Sequence, residues 1–128
     1  MTRMVLITLL LLSGGPVYAE WVNLGGSTTA TLYVDPETIR RNGNFVKMWI
    51  LFDYKAIYIN AGKSSWSLKA QSEFDCAEEQ VRVLAQYEFS GPMGQGEIVD
   101  SDSNPHKSEP VMPGSFGQTE WKFACKKQ

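Results

Sequence analysis

The sequence is short of the residue types that most often hold metals or attack substrates: it has two cysteines, Cys76 and Cys125, and one histidine, His106. There is no CxxC pair, which removes the usual redox and zinc spacings. Neither a GxGxxG nor a P-loop occurs, and "GPMGQG" at residues 91–96 is a turn rather than a phosphate cradle. Positive charge is not in excess either. Twelve Lys and Arg stand against 14 Asp and Glu, a net charge of −2, whereas a phosphate-tracking surface needs a clear basic patch. Long apolar runs are also missing. The longest mostly apolar stretch, Met4 to Leu12 with Thr8 inside it, has nine residues, and a membrane-spanning helix needs roughly 20.

That short run has a different meaning. Arg3 precedes it, and turn-forming or small residues follow it up to Val17-Tyr18-Ala19. This is the pattern of a secretory signal peptide over residues 1–19, cut between Ala19 and Glu20. No cysteine lies near the cut, so lipid attachment there is not expected. Residues 20–128 then form a single domain of ordinary size. Taking Arg3 from the 12 basic side chains leaves 11 against 14 acidic ones, a net charge of −3. Export places the cysteines in an oxidising compartment, where a disulfide persists. Two cysteines most simply make one bridge, Cys76 to Cys125, which on the chain-entropy model would contribute roughly 4 kcal/mol. Two free thiols, a redox pair or a metal site are the alternatives, and the last two lack the spacing and the histidines they need.

Along the chain, Ala30, Leu32 and Val34 alternate with Thr29, Thr31 and Tyr33, a strand pattern. Asp35-Pro36-Glu37 reads as a helix start, with Asp35 as cap, predicting one helical turn through Arg40 that ends at Asn42-Gly43. Asn44 to Tyr54 is apolar on both alternate sets, as in a central strand covered on both faces. Ala61 to Ser65 reads as a loop or a strand bent at Gly62. From Trp66 the alternation is clean: Leu68, Ala70, Ser72, Phe74 and Cys76 should be buried, and Ser67, Lys69, Gln71, Glu73 and Asp75 wet. After a turn at Ala77-Glu78-Glu79, the set Val81, Val83, Ala85, Tyr87 and Phe89 should share one side, so that the two runs form an antiparallel pair. Glu97-Ile98-Val99 adds one short strand, and the stretch from Asp100 to Gly114 is a polar surface loop. Ser115 and Gln118 have the spacing of a capping box. Trp121, Ala124 and Cys125 then share one stripe of a helix of about ten residues, marginal alone in water. The first cysteine is therefore a staple that fixes the chain's end to a sheet face.

Other constellations are weaker. Asp100, Asp102 and Asn104 occupy the first, third and fifth positions of a calcium loop, but Pro105 and Val111 stand where glycine and a bidentate carboxylate are needed. His106 has no nucleophile motif near it in sequence. Glu78 and Glu79, and Glu73 with Asp75, read as surface charge rather than a tuned acid–base pair. No catalytic, metal or cofactor-binding residues are therefore assigned. The aromatics are numerous, and any of Trp21, Trp49, Trp66, Trp121, Tyr33, Tyr54, Tyr58 and Tyr87 left exposed would be a binding anchor.

Taken together, "YVDPETIRRNG", "VKMWILFDY", "SEFDC" with "RVLAQYEFSG", "GQGEIV" and "PGSFGQTEWKFAC" resemble the surface-adhesin protein E family of Gram-negative bacteria. The resemblance runs from Trp21 to Cys125. It implies an α+β fold: one antiparallel sheet of about six strands, with a C-terminal helix tethered to one face by the disulfide. It also implies a non-enzymatic envelope protein that acts by protein contact; the family's adhesin binds host matrix and serum proteins such as vitronectin and laminin and can form a homodimer, an activity that does not extend to every relative. The family adhesin's lipid-anchoring cysteine is missing here, which favours a periplasmic or secreted protein over a displayed one. The other reading kept from the residues is a periplasmic small-ligand carrier or structural envelope protein, with its pocket between helix and sheet. A small hydrolase built on the Asp100 to His106 loop ranks third.

Overall fold

The computed structural model describes residues 20–126, so the proposed leader and its cleavage point on the Ala19 side lie outside the described residues. Seven strands form one antiparallel sheet: β1 Val22–Gly26, β2 Ala30–Asn42, β3 Phe45–Asn60, β4 Lys63–Asp75, β5 Gln80–Phe89, β6 Ile98–Asp102 and β7 Glu109–Pro110. Strands β1 to β6 follow one another across the sheet in chain order, and the two-residue β7 pairs with the far end of β5. Among the described residues one α-helix, α1, spans Phe116–Lys126. The described residues are thus mostly sheet, with the expected antiparallel strands and one stapled C-terminal helix, so the α+β class holds only in the coarse sense that a helix packs on a sheet.

The core sits between α1 and one face of the sheet. Leu32, Val34, Val46, Met48, Phe74 and Ala124 are fully excluded from solvent there. All but Ala124, which α1 contributes, are positions that period-2 alternation puts on one side of β2, β3 and β4, and their registers align: Val34 with Ile50, Met48 with Ser72, Val46 with Phe74. The helix begins as its sequence suggests, with Ser115 Oγ accepting the Gln118 amide at 3.1 Å. The capping box is modified, because the Gln118 carbonyl reaches past Ser115 and accepts from the Gly114 amide at 3.0 Å. At the other end Cys76 is joined to Cys125, and Trp121 Nε1 donates to the Asp75 carbonyl at 2.9 Å. The staple and the docking tryptophan are where the sequence placed them.

Three local expectations are corrected. No helical turn forms after Asp35; β2 continues to Asn42 and four residues, Pro36 to Ile39, bulge out opposite Met48. Pro36 has no amide to donate to the ladder, and the bulge is closed by side chains: Asp35 Oδ1 accepts from the Glu37 amide, and Thr38 Oγ1 accepts the Trp49 amide at 3.0 Å. In β5, Val81 and Val83 pair with Phe74 and Ser72, but Ala85 pairs with Gln71, so Leu84 is an extra residue. One extra residue reverses the side-chain parity. Ala85, Tyr87 and Phe89 therefore face away from the helix, where Tyr87 stacks on Trp49 with ring centroids 6.2 Å apart.

The third correction concerns that second face, which is not uniformly wet. The segment after β5 folds over it in a short 3-10 turn, Pro92–Gly94. Ser67 Oγ donates to the Gly91 carbonyl at 2.7 Å and accepts the Gly94 amide at 2.8 Å, and Asp53 Oδ1 accepts the Met93 amide at 2.7 Å. Ser67 and Leu51 are buried as a result. The Lys69 ammonium lies 5.1 Å from the Phe89 ring centre and 6.0 Å from that of Trp21.

Candidate interaction surfaces

The helix–sheet gap that the sequence offered as a ligand pocket is packed with core side chains. On α1 the deepest line runs through Phe116, Glu120 and Ala124, one residue off the predicted stripe. Phe116 meets the Phe52 ring at 5.2 Å. Glu120 is buried, and burial pushes its carboxyl up to about 8, because a charge there has lost its water. Sequence reasoning passed over Glu120 because glutamate in a short helix reads as solvated. The available signal was its place four residues after Phe116 and four before Ala124.

On the opposite face, at the end of the sheet carrying the β2–β3 turn, lies an open groove of about 620 Å³. Register builds it. Phe45 pairs with Asp75, Lys47 with Glu73, and Glu73 with Arg82, so these alternate positions of β3, β4 and β5 project together. Arg82 Nε donates to Glu73 Oε1 at 2.8 Å. The chain leaving β6 closes the side of the groove: the His106 amide donates to the Val83 carbonyl at 2.8 Å, and His106 Nε2 lies 2.9 Å from Asp102 Oδ2. Lys107 and Ser108 complete the rim.

The structure thus brings Glu73, Asp75 and His106, which the sequence treated as separate surface groups, to one groove with Arg82. Asp102 holds His106, and this hydrogen bond, then one from the Asn104 amide, lowers its carboxyl below the usual value. Asp75 Oδ1 is taken up by the amides of Ala77 and Glu78. Ser108 Oγ donates to Gln80 Oε1 rather than engaging His106, so the groove contains no serine–histidine pair. Asp100 turns away to Lys63 at 3.3 Å, which dismantles the calcium-loop arrangement. Among the described residues no three His, Cys, Asp or Glu side chains converge on a metal position. On the β3 side stands Phe45, 46% exposed, beside charges that are mostly already paired. An exposed aromatic with a polar, pre-organised rim has the composition of a protein contact site.

A second exposed surface is the far end of the β3–β4 hairpin. The last pair with β2 is Tyr54 with Ala30, and the last with β5 is Ser67 with Phe89. Beyond these, Tyr58, Ile59 and Asn60 pair only with Ser65, Ser64 and Lys63. Ala61 and Gly62 close the turn, both at positive φ (51° and 78°), as a two-residue hairpin turn requires. Ile57, Tyr58 and Ile59 are 45%, 46% and 65% exposed. At the base, burial first, then Glu88 and Tyr58, push the Tyr54 phenol up to about 12, so it stays neutral. Of the tyrosines and tryptophans singled out in the sequence, Tyr58 is an exposed one, while Trp121, Trp49 and Tyr87 are engaged in packing.

A family model described as surface-adhesin protein E matches residues 21–126. Crystal form II of Haemophilus influenzae protein E is similar in structure, with a TM-score of 0.67 at 14% identity over 87% of this chain and 91% of that one. A second Haemophilus influenzae protein E structure gives a TM-score of 0.62 at 15% identity over 87% of each chain. Protein E from non-typeable Haemophilus influenzae gives 0.60 at 14% identity, over 87% of this chain and 78% of that one. At such identity these likenesses concern the fold. A search of curated proteins finds no match.

Proposed function

Since the chain belongs to the surface-adhesin protein E family, we propose that it is an exported protein of the Gram-negative envelope that acts by binding another protein. Residues 1–19 serve as its leader, cut between Ala19 and Glu20, and residues 20–128 are the working domain. The observation that carries the binding reading is Phe45, held half-exposed on the β3 side of the groove that Arg82 and His106 line on the other. Aromatic and arginine side chains dominate the energetics of protein contacts, and pre-paired charges at the rim cost less to desolvate than single ones. Host extracellular-matrix proteins are the partner class in keeping with the family, and self-association as a homodimer is a further use of such a face. The small-ligand carrier is the poorer reading, since the core side chains that fill the helix–sheet interface leave its pocket occupied.

The test combines location with binding. N-terminal sequencing of the protein from fractionated cells should begin at Glu20, and protease added to intact cells distinguishes display on the surface from a periplasmic site. The isolated protein is then applied to immobilised vitronectin and laminin. Phe45→Ala should weaken capture by at least about tenfold, the usual cost of an aromatic anchor. Equal capture of wild type and Phe45→Ala would remove the groove from the function.

A further inference from the structure

We propose that the projecting end of the β3–β4 hairpin is a lipid-contacting tip, which seats the protein on an anionic membrane surface independently of the Phe45 groove. Three observations converge on this. The first is that the exposed apolar residues are consecutive, Ile57, Tyr58 and Ile59. Tyr58 and Ile59 are consecutive paired residues and point to opposite faces, with Ile57 in the bulge that precedes them, so both sides of this strand end present apolar surface. A protein partner lying against one face would leave the other uncovered, whereas a fluid interfacial layer surrounds both.

The second is length. Two pairs, Ile59 with Ser64 and Asn60 with Lys63, extend past the pair of Tyr58 with Ser65, where Ser65 is buried and donates to Glu88 of β5 at 2.6 Å. At about 3.4 Å per residue the tip projects on the order of 7 Å, within the roughly 5–10 Å to which interfacial segments bury their apolar side. The third is charge. Between Tyr54 and Ser65 the chain carries Lys55 and Lys63 and no acidic residue, in a protein whose net charge is −2. Asp100 meets Lys63 at 3.3 Å, but both side chains remain about half exposed (53% and 43%) and so are open to exchange with lipid phosphate. Tyr54 and Tyr58, with ring centres 5.4 Å apart, supply amphipathic rings at the level where the apolar tip gives way to the sheet. Beside them an open groove of about 510 Å³, lined in part by Thr29, Ala30, Tyr54 and Ile57, has room for a headgroup.

The experiment is vesicle flotation of the protein as isolated from its own cells, wild type against the double variant Ile57→Ser/Ile59→Ser. Both isoleucines are exposed, so the variant should keep the fold, checked by the intact disulfide and unchanged circular dichroism. Wild type should float with vesicles of phosphatidylglycerol mixed with phosphatidylcholine and much less with phosphatidylcholine alone. The double variant should bind the anionic vesicles about tenfold more weakly or worse. Lys55→Glu should weaken anionic binding while leaving weak neutral binding unchanged. Failure of wild type to float, equal flotation of wild type and double variant, or equal binding to neutral and anionic vesicles would each overturn the proposal. So would capture of a protein through Ile57 and Ile59 without vesicle binding. Phe45→Ala should float normally, so failure of the groove reading and failure of this one are separable.

Discussion

Glu120 makes folding pH-dependent, with a sign that can be worked out. It lies on α1 between Phe116, which meets Phe52, and Cys125, which is bonded to Cys76. The strip of sheet between those points carries Met48, Ile50, Ala70 and Ser72, none of them ionisable. Burial raises its carboxyl from 4.5 to about 8. A group whose folded value lies above its unfolded value holds its proton more tightly when folded. Its stability is fully present below about pH 4.5 and is lost as pH rises through about 8. Across that interval the loss is about 1.4 kcal/mol per pH unit, on the order of 5 kcal/mol in all. Against a total of roughly 5–15 kcal/mol for a domain, this is enough to loosen the helix at alkaline pH while the disulfide retains it. Glu120→Gln keeps the shape and removes the titration. Urea midpoints measured with the disulfide intact should fall with pH in the wild type from about pH 5 to about pH 9, and stay nearly level in the variant. The two proteins should be close in stability at the acid end, with the variant ahead at the alkaline end. Parallel curves would refute the argument.

Two further outcomes follow from the staple and the hairpin. Replacing both Cys76 and Cys125 by serine releases a crosslink with a sequence separation of 49 residues, which should lower stability by about 4 kcal/mol. Amide hydrogen exchange should then show α1 losing protection before the sheet, and uniform loss would mean that the helix holds without its bond. Ala61 sits at φ 51°, a conformation that glycine and asparagine tolerate better than alanine. Ala61→Gly or Ala61→Asn should raise stability by about 0.5–1 kcal/mol in thermal denaturation, and a decrease would contradict the turn geometry.

Much of the architecture could be read before the fold was known, and the failures have a common cause. Strand patterning found β3, β4 and the first half of β5, because alternation reports which side of a strand is dry. It misplaced Tyr87 and Phe89 because Leu84 is inserted against a partner strand, and a parity change is invisible without that partner. Asp35-Pro36 resembles a helix start for the same reason. Its local chemistry is correct, an aspartate turn before a proline, but the neighbour β3 decides whether the chain leaves the sheet or bulges and returns. Phe45, Glu73, Arg82 and His106 gave no joint signal, being spread over more than 60 positions of the chain. Only the register of three strands and the path after β6 assemble them.

The sequence by itself determined the composition of the two sheet faces along each regular run, the disulfide, and the terminal helix with its serine cap. Each of these depends on contacts between near neighbours or on a pair with no competitor. Tertiary structure alone decided where the strand parities break, that Glu120 is sealed into the core, and which side chains share a groove or stand alone at a tip. Those outcomes depend on which distant residues arrive opposite one another, and burial, charge cost and exposure are set by that arrival rather than by any residue's own preference.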